Sequence, residues 1–94
     1  MIIIDSNVVK KSIEHYGANL QTVVCMEECA ELIQAISKVR RYGCIADMRE
    51  NLIEEIADVR IIISELMLIY GITPDEITGW QNQKINRMQR RLKE

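Results

Sequence analysis

Apolar residues recur at intervals of three to four along most of the chain, which is the spacing of one face of an α-helix. Glycine and proline interrupt this pattern at only a few positions, and they divide it into four helical segments. The predicted helices cover about residues 6–16, 19–42, 46–70 and 74–92. No segment shows the alternation of a strand, so we expect an all-α fold built as an antiparallel helical bundle.

The ends of these segments carry residues that commonly begin and end helices. Each of the first three segments closes on a tyrosine followed by a glycine: Tyr16-Gly17, Tyr42-Gly43 and Tyr70-Gly71. Such a glycine usually adopts the left-handed conformation just beyond a helix. The fourth segment opens with Thr73-Pro74-Asp75-Glu76, a capping box with proline at the first helical position, and Gly79 favours a kink or a later start. Three candidates can cap the first helix: Asp5, Ser6 or Asn7.

The two central helices are the longest predicted elements, with about 24 residues each. A loop of only three to five residues joins them, so we expect them to lie side by side and antiparallel. The 94 residues provide for one small domain, which we take to span 1–94. A chain of this length buries a modest share of its surface, and this favours self-association.

Four carboxylates interrupt the apolar stripes of the central helices. Glu28 and Glu31 share one face of the second helix, because positions three apart lie together on a helix. Glu55 and Asp58 do the same in the third helix. About twelve residues separate Glu31 from the centre of the loop, and about eleven separate the loop from Glu55. The antiparallel arrangement therefore predicts that the two pairs face each other at the same height.

Such a cluster needs a positive partner. Two like charges about 4 Å apart repel by roughly 4 kcal/mol at an effective dielectric constant of about 20. No lysine or arginine lies on these stripes, and Arg60 points to a different face from Asp58. A single acidic pair would most often be solvated surface, but two pairs at one height favour a bound cation. Carboxylates without histidine or cysteine ligands select a hard ion, so we predict Mg²⁺, with Mn²⁺ as a possible substitute.

Composition and charge indicate whether the chain is ordered, in which compartment it lies and whether it enters a membrane. Apolar residues make up 48% of the chain, which excludes disorder by composition. The net charge of −2 combines an acidic body with a basic segment at residues 81–94. The three cysteines form no CxxC pair, so we expect them to be reduced and the protein to be cytoplasmic. The apolar run at 61–72 is shorter than the ~20 residues of a bilayer span, so we expect no membrane association.

The two acidic motifs together resemble the signature of a known family. Glu27-Glu28-Cys29-Ala30-Glu31, followed by Glu54-Glu55-Ile56-Ala57-Asp58, resembles the ExxE and ExxD elements of the MazG-like nucleoside triphosphate pyrophosphohydrolases. The flanking segments AELIQAISK and NLIEEIADV are similar to segments of small single-domain bacterial and phage members. The resemblance covers about residues 16–91. It implies a helical bundle that forms a homodimer or homotetramer. It also implies Mg²⁺-dependent cleavage of a (d)NTP between the α- and β-phosphates, which gives a nucleoside monophosphate and pyrophosphate and removes unwanted nucleotides.

The resemblance also implies roles for individual residues. The expected metal ligands are Glu28, Glu31, Glu55 and Asp58. Glu27 is the candidate that positions or deprotonates the attacking water, and Glu28 belongs with it to the catalytic set. Lys84 and Arg87, three apart on the last helix, are candidates for holding the outgoing phosphates.

Two residues are candidates for recognising the base. Gln21 lies about two helical turns before Glu28 on the same side, and its amide is suited to read a base edge. Trp80 is a candidate for stacking on the base, and an anchor in a subunit interface is the alternative role. We therefore expect a nucleoside triphosphate as the substrate.

Other classes of protein explain less of the sequence. A non-enzymatic helical interaction or regulatory module would account for the bundle and the basic segment, but not for the matched carboxylates. A nucleic-acid binder is disfavoured because the acidic body repels a duplex, so we expect no nucleic-acid partner. A di-iron bundle needs an ExxH motif on each of two helices, and the chain has one histidine.

Overall fold

Four α-helices make up the structure, a computed structural model that describes residues 4–94; the first three residues of the predicted domain lie outside this description. The helices are α1 (Ser6–Tyr16), α2 (Ala18–Tyr42), α3 (Ala46–Tyr70) and α4 (Pro74–Arg91). Residues 4–94 contain no strand, so the all-α prediction is confirmed. Each predicted boundary lies within one residue of the observed one, and α4 continues through Gly79 without interruption. None of the described helices is long and apolar enough to cross a membrane.

Side chains cap α1 and α4 where the sequence places capping residues. The carboxylate of Asp5 accepts hydrogen bonds from the backbone N–H of Asn7 at 3.0 Å and of Val8 at 3.4 Å. Asp5 is therefore the cap among the three candidates. At the start of α4, Thr73 Oγ1 accepts from the backbone N–H of Glu76 at 3.3 Å. The Glu76 carboxylate accepts in return from the backbone N–H of Thr73 at 3.1 Å, which completes the capping box.

The glycines that end the helices differ in conformation. Gly71 has φ +64° and ψ +37°, the left-handed conformation expected beyond a helix. Gly17 (φ +88°, ψ +148°) and Gly43 (φ +93°, ψ +158°) combine a positive φ with an extended ψ, so the left-handed prediction is wrong for these two. This region is open essentially only to glycine. It lets a single residue join α1 to α2 and three residues join α2 to α3.

The core lies between α2 and α3, and α1 packs against both helices. Ala35 and Ile62 of the predicted apolar stripes are buried, as is Val9 of α1. The other apolar members of the two stripes are half-buried: Val24, Leu32, Val39, Leu52, Val59 and Leu66. Close contacts run in opposite directions along the two helices, because Cys25 meets Ile62 and later residues of α2 meet earlier residues of α3. The predicted antiparallel hairpin is confirmed.

The fourth helix lies apart from the other three. Within residues 4–94, α4 packs against none of α1, α2 and α3, and none of its residues is buried. The prediction of four helices is confirmed, but the expectation that all of them join one bundle is not, since the described chain packs only three together. The apolar residues of α4 therefore remain exposed: Ile77, Trp80, Ile85 and Met88.

The single chain is extended and has a large surface for its size. Its radius of gyration is 16.0 Å, whereas a compact domain of this length would have one of about 12 Å. Its accessible surface is 7652 Å², against ~5,600 Å² for a compact monomer of this mass. The excess of about 2,000 Å² comes from the separate α4 and from apolar residues left uncovered on α2 and α3.

Candidate metal centre

The two predicted acidic pairs meet in the middle of the α2–α3 pair. Glu28 and Glu31 enter from α2, and Glu55 and Asp58 enter from α3. One carboxylate oxygen from each residue lies within 4.8 Å of the other three. Glu28 interacts with Asp58, and Glu31 with Glu55, as the antiparallel register requires. The structure thus brings all four predicted ligands together.

The centre is closed on its inner side and open at one edge. Glu55 is only 9% exposed, Glu28 and Asp58 are half-buried, and Glu31 is exposed. The Oε2 atoms of Glu28 and Glu55 are buried and accept no hydrogen bond from the described chain. Because buried polar atoms are nearly always paired, these two oxygens are suited to a ligand that the protein chain itself does not supply. A cation between the two pairs would satisfy both atoms.

Burial and mutual repulsion raise the pKa values of the two inner carboxyl groups. For Glu28 the loss of hydration is the largest cause, followed by the charges of Glu31 and Asp58, and its pKa rises from 4.5 to about 7. The pKa of Glu55 is raised by burial first and then by the charges of Glu31 and Asp58. A nearby cation acts in the opposite direction, because it favours the ionised carboxylates.

A buried polar layer lies beside the four carboxylates along the helix pair. Glu65 of α3 is buried, and its Oε2 accepts a hydrogen bond from the thiol of Cys25 at 3.6 Å. With the amide of Gln21 turned so that its nitrogen faces Glu65, that nitrogen donates to the two carboxylate oxygens at 3.2 and 3.1 Å. Burial and the neighbouring Glu65 raise the pKa of Cys25 to about 11, so its thiol stays protonated at neutral pH.

Glu65 is a buried charged residue that the two sequence motifs do not include. Its position carries a signal nonetheless: it follows Asp58 by seven residues, as Gln21 precedes Glu28 by seven, and residues seven apart share a helix face. This spacing places the Gln21–Glu65 pair about 10 Å from the Glu28–Asp58 pair along the helices. The amide of Gln21 is engaged by Glu65, and its contact with a base stays a prediction.

The other predicted site residues lie outside the centre. Glu27 is exposed and does not belong to the four clustered carboxylates. Trp80, Lys84 and Arg87 are exposed on α4, which does not approach α2 or α3 within the described chain. Trp80 and Lys84 line a shallow apolar groove along α4 instead. A single chain therefore does not bring the α4 candidates for base and phosphate binding to the carboxylates.

The four oxygens fit a hard divalent cation. Oxygen ligands bind Mg²⁺ at about 2.0–2.1 Å and Ca²⁺ at about 2.3–2.6 Å, so oxygens on opposite sides of such an ion are roughly 4–5 Å apart. The observed limit of 4.8 Å requires only small side-chain adjustments. A set of carboxylates alone also favours Mg²⁺ or Mn²⁺ over zinc, which prefers cysteine and histidine ligands.

Comparisons with known proteins add no family assignment. No protein-family model matches the chain, and neither curated proteins nor solved structures gave a match. The resemblance to the MazG-like enzymes therefore rests on the two acidic motifs and their spacing.

Proposed function

We propose that the protein is a Mg²⁺-dependent nucleoside triphosphate pyrophosphohydrolase of the MazG-like type. The observation that carries this proposal is the meeting of four carboxylates across α2 and α3, with Oε2 of Glu28 and of Glu55 buried and unpaired. Acidic groups on an ordinary surface are hydrated and do not leave oxygens buried without a donor. The proposed reaction splits a (d)NTP between the α- and β-phosphates into a nucleoside monophosphate and pyrophosphate, and its proposed role is to remove unwanted nucleotides.

The residues of the centre have distinct proposed roles. The metal ligands are Glu28, Glu31, Glu55 and Asp58. Bound Mg²⁺ supplies charge neutralisation for the polyphosphate and lowers the pKa of the attacking water. Glu28 and Glu55 bind through ionised oxygens, so they release any proton that they hold when the centre is loaded. Glu27 precedes Glu28 in α2 and is exposed, and we assign it to orienting the water or accepting its proton.

Positive groups for the outgoing phosphates must come from outside the α2–α3 pair. The candidates are Lys84 and Arg87, which lie three apart on α4. Because α4 packs against neither α2 nor α3 of its own chain, these side chains reach a triphosphate only if α4 moves or belongs to a neighbouring copy. The proposed function therefore requires either a movement of α4 or an assembly of several copies, and we propose the assembly.

A homodimer or homotetramer is the assembly that we propose. The single chain exposes about 2,000 Å² more surface than a compact monomer of its mass. Obligate homodimers bury roughly 2,000–5,000 Å² in total, or about 1,000–2,500 Å² for each copy. The excess surface of this chain therefore matches the share that one copy contributes to such an interface.

The test is a screen for pyrophosphate release from each (d)NTP in the presence of Mg²⁺. We expect release by the wild-type protein, and a decrease of about 100-fold or more in Glu31→Gln and Asp58→Asn, which remove one charged ligand each. Glu54→Gln is the matched control, because Glu54 neighbours Glu55 but is exposed and lies outside the cluster. Its activity should stay close to that of the wild type.

Two results together would reject the proposed enzyme and favour the alternative, a non-enzymatic helical interaction module. The first is pyrophosphate release by the wild type that does not exceed that of the two ligand variants on any nucleotide. The second is a thermal midpoint that does not change when Mg²⁺ is added. A thermal midpoint that rises with Mg²⁺, without pyrophosphate release, would support the metal centre but reject the proposed reaction.

A further inference from the structure

The buried polar layer beside the metal centre consists of three residues: Gln21, Cys25 and Glu65. Their exposed fractions are 6%, 3% and 6%, so water is nearly excluded from all of them. The Gln21 amide donates to both carboxylate oxygens of Glu65, and the Cys25 thiol donates to one of them. Glu65 is not one of the four clustered carboxylates, and the proposed reaction gives it no part.

Stability alone does not account for this layer. Burying a carboxylate is unfavourable unless hydrogen-bond donors replace the water that it loses. The donors of Glu65 are neutral groups, and both come from α2. Replacing both partners of such a buried pair by apolar groups of the same shape is often neutral or stabilising. A polar pair at this position therefore needs another explanation.

The polar layer distinguishes one register of α2 against α3 from the neighbouring ones. The apolar stripes repeat along both helices, so a slide of one turn, about 5.4 Å, still sets apolar residues against each other. The same slide would part Glu65 from Gln21 and Cys25 and leave a buried carboxylate without donors. Such an unpaired group is strongly destabilising. Single buried polar residues fix the register of coiled coils in this way.

The metal centre depends on that register but does not favour it before a cation binds. Its four carboxylates repel one another when they are ionised. One oxygen from each lies within 4.8 Å of the other three, and a slide of one turn exceeds this distance. The loop at 43–45 limits sliding from one side of the centre, and the polar layer lies on the other side.

We infer that Glu65 is a positioning residue, whose hydrogen bonds with Gln21 and Cys25 hold α2 and α3 in the register that brings the four carboxylates together. Gln21 lies seven residues before Glu28. Glu65 lies seven residues after Asp58, which interacts with Glu28 across the helices. A contact that keeps Gln21 against Glu65 therefore also keeps Glu28 against Asp58. This inference rests on the metal centre of the proposed function and gives Glu65 no contact with cation or substrate.

The test compares Mg²⁺ binding with stability in the double variant Gln21→Met/Glu65→Met. Methionine is unbranched, as glutamine and glutamate are, so the variant fills the same space with an apolar pair. We expect its thermal midpoint in a chelator to be no lower than that of the wild type. Its Mg²⁺ dissociation constant, measured by titration calorimetry on the full chain, should be at least about tenfold higher. A purely structural layer would leave Mg²⁺ binding unchanged when stability is unchanged.

Glu65→Gln is the matched control for the lost charge. It removes the same charge but keeps a hydrogen-bonded pair with Gln21, because two facing amides can both donate and accept. Its Mg²⁺ dissociation constant should stay within about threefold of the wild-type value, since a charge roughly 10 Å from the ion acts weakly through screened solvent. Gln21→Leu/Glu65→Leu repeats the apolar replacement with a second side-chain shape, so the comparison does not depend on one variant folding.

Three results would overturn the positioning role and leave the metal centre intact. The first is a methionine or leucine pair that folds and binds Mg²⁺ as tightly as the wild type. The second is an equal loss of affinity in Glu65→Gln, which would trace the effect to charge. The third is loss of the fold in both pair variants, which would make the layer structural.

Failure of the proposed function gives different results. A wild type that binds no Mg²⁺ would reject the metal centre and the positioning role together. Pyrophosphate release is measured separately from Mg²⁺ binding. If it is absent while Mg²⁺ binding by the variants follows the expected pattern, the reaction alone is rejected.

Discussion

Glu28 and Glu55 are the residues at which burial and charge oppose each other most strongly. Each holds one carboxylate oxygen in the protein interior without a hydrogen-bond donor, and the other charges near them are acidic. Without a cation, the folded protein is destabilised when these groups ionise. With a cation, the same oxygens become ligands. The stability of the protein should therefore depend on pH and on Mg²⁺ in a coupled way.

The metal-free protein should lose stability as the pH rises through neutrality. Because the pKa of Glu28 is about 7 in the folded protein and 4.5 ordinarily, the folded state holds more protons than the unfolded state between these values. Stability then falls with rising pH across this window and stays low above it. We expect the thermal midpoint in a chelator to fall by roughly 5 °C between pH 5 and pH 8.

Two comparisons check this assignment. Glu28→Gln should flatten the pH dependence, since it removes the group that titrates. The increase in midpoint caused by Mg²⁺ should be larger at pH 8 than at pH 6, because the metal binds the ionised carboxylates. A wild-type midpoint that rises steadily from pH 5 to pH 8 in the chelator would contradict the raised pKa.

Replacing Glu55 by glutamine should stabilise the metal-free protein and abolish its response to Mg²⁺. Glutamine has nearly the same shape as glutamate, carries no charge and offers an N–H to the neighbouring carboxylates. We expect the midpoint at pH 8 in a chelator to rise by roughly 5 °C, and the Mg²⁺-induced increase to disappear. Calorimetric melts with and without Mg²⁺ measure both effects.

Glu54→Gln is the matched control for this change. It removes one charge at the adjacent residue, which is exposed and raises the pKa of Glu55 less than the charges of Glu31 and Asp58 do. Both the metal-free midpoint and its response to Mg²⁺ should stay near those of the wild type. If Glu55→Gln kept a full response to Mg²⁺, Glu55 would not be a ligand.

At this scale the sequence predicts the four carboxylates but not the layer beside them. The acidic pairs are visible because each interrupts an apolar stripe at helical spacing. Glu65 interrupts a long apolar run singly, and a single acidic residue is more often solvated than buried. Its burial depends on a hydrogen bond from Cys25 and an amide from Gln21 on the facing helix. Those partners are known only once the register of the two helices is known.

At the scale of elements, the short connection between α2 and α3 fixes the height at which the acidic pairs meet. Three residues, 43–45, join the two helices, and this leaves little freedom to slide one along the other. Gly43 takes φ +93° and ψ +158°, a conformation that other residues adopt only with strain. The geometry of the metal centre therefore depends on a glycine that lies about twelve residues from the nearest ligand.

Alanine substitution should destabilise the protein at Gly43 but not at Gly79. We expect Gly43→Ala to lower the free energy of unfolding by about 1–3 kcal/mol. Nothing lies within 4 Å of the added methyl group, so backbone strain is the cause and not a clash. Gly79→Ala is the matched control: it lies inside α4 in open space, and alanine should raise helicity there or leave stability unchanged.

Denaturant titrations followed by circular dichroism measure both changes. Equal stability of Gly43→Ala and the wild type would show that the loop tolerates another conformation. In that case Gly43 would not set the register of α2 against α3.

The helices themselves could be predicted closely because the chain marks their ends. The tyrosine–glycine pairs and the capping box act within a few residues of each boundary, so local chemistry suffices to place them. The conformation of Gly17 and Gly43 could not be predicted in the same way. It depends on where the next helix must go, and that is decided by packing between helices that are distant in sequence.

At the scale of the whole molecule, the single chain leaves two apolar surfaces uncovered. One is the stripe on α4, and the other consists of exposed apolar residues on α2 and α3, among them Met26, Ile33 and Ile63. The sequence predicts that these residues lie on helices, but it cannot predict that they stay exposed. Helical periodicity places a residue on a face, whereas its burial depends on which face another helix or another copy covers.

The thermal midpoint of the wild type should increase with protein concentration. Unfolding of an oligomer releases separate chains, so dilution favours the unfolded state. We expect an increase of a few degrees for each tenfold rise in concentration. A wild-type midpoint that is constant over a hundredfold range would contradict the assembly.

Because α4 lies apart from the other helices, the tryptophan fluorescence of the protein depends on α4. Trp80 is the only tryptophan in the chain, and it stands exposed on α4, away from the four carboxylates. Its fluorescence emission therefore depends on the surroundings of α4. The α2–α3 pair contains no tryptophan and does not contribute to this emission. If Mg²⁺ and a nucleotide shift this emission, α4 has approached the loaded centre. If they leave it unchanged while the thermal midpoint rises, the centre is loaded without α4.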